Sequence, residues 1–67
     1  MEVTALRAAM LRKQIYAQAI AELLHIHVTT ARLKISGDTA FTVDEAIAVK
    51  NAFFPEYALE DLFAKKD

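Results

Sequence analysis

The sequence predicts an all-α fold, a compact bundle of about five short helices, and three observations predict it. One Gly and one Pro in 67 residues leave little material for tight hairpins. Thirteen alanines, accompanied by many Leu, Ile, Glu, Lys and Arg, favour helix. Apolar residues recur at i,i+4 spacing, as in Leu6/Met10, Ile20/Leu24 and Ala31/Ile35. The chain is short enough for one domain, residues 1–67. At this size a core is marginal, burying only about 60% of the unfolded surface. The hydrophobic fraction of 55% argues against disorder. No apolar run approaches the ~18 residues of a membrane span. With no cysteine, disulfides and thiolate zinc sites are absent, as suits a reducing compartment. The opening MEVTALRAAM carries an acid and an arginine and does not read as a secretory signal. A cytoplasmic protein without membrane association is the expectation.

Residues 4–24 form one helix-compatible block, with Thr4 as a fitting N-cap and Leu6 and Met10 on a common face. Nothing between Arg12 and Ala17 is a strong breaker, so a single helix of about twenty residues is allowed; Ile15-Tyr16 is only a weak hint of a break. His25 to Thr30 has low helix propensity and reads as a turn into a helix over Val28–Ser36. Gly37 fits the left-handed position that closes it. Thr42 and Glu45 make a T-x-x-E capping box, with Phe41 placed to staple against Ala46 or Ile47. The helix that follows runs from Val43 to about Phe53 and stops before Pro55, which disfavours α conformation at Phe54. Ala58 to Lys65 completes the set, with Lys65 and Lys66 at its C-terminal dipole end.

Charge is unevenly placed although the net is only −1. Residues 1–34 hold five cations (Arg7, Arg12, Lys13, Arg32, Lys34) against Glu2 and Glu22, a balance of +3. Residues 35–67 hold three lysines against seven acids, a balance of −4. Such asymmetry suits one face turned to a polyanion. A solvated surface with charges scattered by chance gives the same balance.

Two helices joined by a short turn, the second opened by small residues and Thr, is the helix-turn-helix pattern. The stretch from Ile20 to Gly37, IAELLHIHVTTARLKISG, resembles the Cro/repressor helix-turn-helix family, also called the xenobiotic-response-element class. The continuation, Phe41-Thr42-Val43-Asp44-Glu45-Ala46-Ile47, Ala52-Phe53-Phe54-Pro55-Glu56-Tyr57 and Leu59-Glu60-Asp61-Leu62-Phe63, is similar to short phage and prophage regulators of Gram-positive bacteria. Small Ala21 allows a close helix crossing, and Leu24, Ile26, Ala31 and Ile35 wedge its angle. An ordinary helical hairpin would use the same small residue. The chain departs from the family at three places: His25 replaces the usual turn Gly, His27 the usual Ser or Thr cap, and Tyr16-Ala17 the usual Thr-Gln opening. Gln18 sits one place late for that opening.

The resemblance implies a sequence-specific regulator that binds double-stranded operator DNA as a homodimer, with helix 28–36 in the major groove. It places Thr29, Thr30 and Arg32 at base edges or phosphates, with Val28 as a methyl contact and Leu33 beside them. Gln18, Lys34 and Arg12 or Lys13 would hold the backbone. Two apolar residues on the reading face, Val28 and Leu33, equally suit a protein, which keeps open a modulator that binds a partner phage repressor through the same helix.

Other chemistry is weakly supplied. His25 and His27 lack the third and fourth ligands a metal requires. The acids Asp44, Glu45, Glu56, Glu60 and Asp61 sit where helix N-termini and solvated faces want them, without a nucleophile elbow or a glycine-rich loop. The sequence therefore predicts no enzyme, metal or cofactor. The Phe53, Phe54, Tyr57 and Phe63 cluster lies in the acidic half and reads as core or subunit contact rather than a base-stacking platform.

Overall fold

The computed structural model describes residues 2–64, which form five helices and no strand. They are α1 Thr4–Lys13, α2 Ala17–Leu24, α3 Val28–Ser36, α4 Val43–Phe53 and α5 Leu59–Leu62. The expected all-α bundle is observed.

The block over residues 4–24 is two helices, not one. Gln14 adopts φ 56°, ψ 43°, the left-handed conformation that closes α1. Its N–H donates to the Leu11 carbonyl (3.2 Å), and the Ile15 N–H donates to the Met10 carbonyl (2.9 Å). This is the Schellman pattern, and Ile15 is placed to pack back over Met10 as that motif favours. Gln is a good helix former, so its residue type gives no warning of the break. At the other end of α1, Val3 rather than Thr4 holds the N-cap position, and no side chain caps it.

The second left-handed residue is His25 (φ 57°, ψ 44°), which ends α2 as the turn reading expects. The Ile26 N–H reaches back to the Ala21 carbonyl at 3.0 Å, repeating the closure seen after α1. Gly37, at φ 93°, closes α3. A Cβ there would meet only Val3 at an ordinary 3.7 Å, so the backbone angle, not space, is what favours glycine.

The α4 start follows its sequence signal. The Glu45 N–H donates to the Thr42 hydroxyl (3.1 Å), and the Thr42 N–H donates to the Glu45 carboxylate (2.9 Å). The helix then stops at Phe53, with Phe54 in a non-helical conformation before Pro55. α5 is shorter than the expected Ala58–Lys65 because Phe63 leaves helical geometry (φ −125°, ψ 69°). Lys65 and Lys66 lie outside the described residues.

One core joins all five helices. Leu6, Ile20, Val49, Phe54 and Leu62 are its largest fully buried side chains. Each contributes about 1.5–3 kcal/mol by leaving water. Phe54 meets Tyr57 edge-on at 5.7 Å and Phe41 meets Phe63 at 5.3 Å, so the aromatic residues of the acidic half do pack as core. The first and last described residues are tied together, the Glu2 N–H donating to the Ala64 carbonyl at 2.8 Å. α2 and α3 pack on each other where Ala21 and Ala31 are both buried, which is the close crossing that small residues permit.

Candidate nucleic-acid interface

α3 is held against α2 by its inner residues, and its outer residues form a stripe. Ala31 and Lys34 are buried, whereas Thr29, Arg32, Leu33 and Ser36 are exposed at helical spacing. Val28 and Thr30 are half-buried at the edges of this stripe. Of the residues expected at bases or phosphates, Thr29, Arg32 and Leu33 are therefore turned outward together. Among the described residues no hydrogen-bond or ion-pair partner is seen for the Arg32 guanidinium.

His27 caps α3 with its own side chain. Its Nδ1 accepts from the Thr29 N–H at 3.2 Å, which satisfies one of the orphan donors in the first turn of α3. The start of α2 has no such partner, since Tyr16 supplies no side-chain cap. Gln18, expected near the phosphate backbone, is exposed in the first turn of α2, where its amide donates to Glu22 at 3.1 Å.

Lys34 is placed differently from the expectation. It is only 8% exposed, and its ammonium lies 3.0 Å from the Glu45 carboxylate and donates to the Ala40 carbonyl at 3.0 Å. It also stands over the Phe41 ring at 5.9 Å. The physical reason is its place on the helix: three residues from buried Ala31, it falls on the inward side. Lys13 is similarly engaged, paired with Glu56 and donating to the Phe53 carbonyl at 2.8 Å. Arg12 donates to the Tyr57 hydroxyl at 2.8 Å. With the Arg7 guanidinium donating to the Ile35 carbonyl at 3.0 Å, four of the five cations in the basic half thus brace the fold.

The carboxylates facing these cations respond to them. Partial burial works to raise the Glu45 carboxyl, but the Thr42 backbone N–H, the Lys34 ammonium and the Thr42 hydroxyl hold it below its ordinary value. The Lys13 hydrogen bond holds the Glu56 carboxyl down as well. His25 and His27 gather no further ligands, and no metal-competent cluster occurs among the described residues.

Sequence reading missed a groove beside α3. It has a volume of about 340 Å³ and runs between α1, the α1–α2 turn and the α3 C-terminus. Leu11 (71% exposed) and Tyr16 (61% exposed) form its lips. The available signal was Leu11, an apolar residue that does not share the Leu6–Met10 face.

Among the described residues, no helix is long and apolar enough to cross a membrane. Comparison with known protein families, curated proteins and solved structures returns no match.

Proposed function

We propose that the protein is a sequence-specific, double-stranded DNA-binding transcriptional regulator of the Cro/repressor type, acting as a homodimer on a two-fold operator in a bacterial host. The observation that carries this reading is the outward stripe of α3, where Thr29 and Arg32 stand exposed beside Leu33 on a helix braced from behind by α2. A guanidinium and a hydroxyl on such a stripe suit guanine and mixed base edges, and Val28 and Leu33 suit thymine methyls. The uncapped N-terminus of α2 adds backbone N–H groups of the kind that grip phosphate. No catalytic step, metal or cofactor enters this function.

A second reading is favoured by a specific observation. Lys34 is buried against Glu45 and Lys13 is paired with Glu56 at the surface, which leaves few cations for phosphate, while Leu33 is 42% exposed on α3. That balance also suits a modulator whose α3 binds a partner phage repressor. Fluorescence anisotropy with the intergenic DNA beside the coding sequence, with and without the neighbouring repressor, tests both. Saturable binding to that DNA alone supports the regulator. Binding only to the repressor overturns it in favour of the modulator.

A further inference from the structure

We propose that the groove between α1 and the α3 C-terminus is a docking site for an acidic amphipathic helix of another protein, whose apolar pair seats between Leu11 and Tyr16 while its carboxylates meet Arg7 and Arg32.

The walls come from three places. Met10 and Ile15 are brought together by the left-handed turn at Gln14, and Ile35 closes the far side from α3. Leu11 and Tyr16 stand up at the lips, largely in water. Large apolar side chains so exposed, grouped around one groove and rimmed by charge, mark a protein-binding surface. A small polar ligand fits poorly, because no buried polar group without a partner points into the groove.

Charge complementarity selects the occupant. Arg7 and Arg32 are the charged residues lining the groove, and both are cations. The Arg7 guanidinium gives one N–H to the Ile35 carbonyl at 3.0 Å and keeps its other donors. A carboxylate can therefore engage it without disturbing that bond. The surroundings select a helix. Arg7 and Leu11 are four residues apart on α1, about 6 Å along its axis. A facing helix repeats an acid and an apolar residue at that interval and satisfies its own backbone, whereas an extended segment would find no sheet edge among the described residues to pair with. A nucleic acid would match the two cations but leave both lips without an apolar partner.

Arg32 lines this groove and also lies on the outer stripe of α3. Occupation of the groove thus withdraws a cation from that stripe. This consequence for DNA rests on the proposed function; the docking itself does not, and its test contains no DNA.

The experiment is an amide and methyl NMR titration of the full chain with two synthetic peptides. One carries leucines at i and i+4 flanked by glutamates, and the other has lysine in place of each glutamate. The expected result is saturable shifts at Leu11, Tyr16 and Ile35 with the acidic peptide, and at least tenfold weaker binding of the basic one. Leu11→Ser, at an exposed position that leaves the core intact, should weaken the acidic peptide at least tenfold. Arg32→Glu should narrow or reverse the preference between the two peptides. Absence of binding, equal binding of both peptides, or an unchanged Leu11→Ser variant overturns the proposal. Shifts at the same residues on concentrating the chain alone also overturn it, because the occupant is then a second copy.

Discussion

The Lys34 ammonium stands 3.0 Å from the Glu45 carboxylate, and that carboxylate also closes the capping box on Thr42. One side chain thereby fixes the start of α4 and anchors α3 to it. The arrangement separates two substitutions that look equally disruptive. Glu45→Gln keeps the cap, since Gln also serves in a capping box, but leaves the buried ammonium without its counter-charge. It should cost about 1.5–3 kcal/mol in denaturant unfolding. Lys34→Met replaces the buried cation by an apolar group of similar length and should be near neutral. Equal losses in both variants would show that packing of Lys34, not its charge, carries the contact.

The same pair sets an expected acid sensitivity. The Glu45 carboxyl titrates below its ordinary 4.5 in the folded chain. A depressed acid contributes stability that is fully present above the unfolded value and is lost as pH falls through the folded one. Unfolding midpoints should thus fall as pH drops below about 4.5, and less steeply in Lys34→Met. Parallel pH curves for the two proteins would remove this pair as a source of the dependence.

How much of this was legible depends on where the determinant sits. The α4 start was legible because Thr42 and Glu45 state their bonds in residue type, and the α3 end because Gly37 states its backbone angle. The break at Gln14 was not, because a good helix former was recruited to a left-handed turn by the packing of Ile15 and Met10 around it. The outward placement of Thr29, Arg32 and Leu33 followed from helical spacing. The inward placement of Lys34 did not, because a lysine is buried only when a distant carboxylate meets it, and Glu45 is eleven residues away in sequence.

Both non-glycine left-handed residues are places where the chain can be made more stable. Gln14→Gly and His25→Gly remove a Cβ from a disfavoured conformation at φ 56° and 57°. Each should raise stability by up to about 1 kcal/mol, seen as a higher thermal midpoint. A lower midpoint for His25→Gly would mean that the imidazole makes a contact worth more than the strain.

His27→Ala removes the Nδ1 acceptor from the α3 N-terminus and should cost about 0.5–2 kcal/mol. His27→Ser, which restores a short oxygen acceptor at the same position, should recover most of that loss. If Ser and Ala behave alike in thermal melts, the ring's packing rather than its hydrogen bond holds the turn.

The last prediction decides which surface α3 meets. Val28→Ser and Leu33→Gln together remove the apolar part of its outer stripe at roughly constant size, while leaving Thr29 and Arg32 in place. Should α3 lie in a major groove, the double variant loses at most methyl contacts, and phosphate contacts continue to dominate affinity. With Lys34 buried against Glu45 and Lys13 paired with Glu56 at the surface, about two cations per subunit reach phosphate. A dimer should then show a log–log salt slope near −3.6, at about −0.9 per contact. Arg32→Ala should cost about 1–3 kcal/mol on the operator and clearly less on random duplex if it reads a base. Should α3 instead meet a repressor, Leu33 becomes a buried anchor, and partner affinity in the double variant falls at least about a hundredfold with only mild dependence on salt. Titrations of both proteins against operator and repressor give the answer. A wild type that ignores the operator, paired with a double variant that no longer holds the repressor, makes α3 a protein-binding helix.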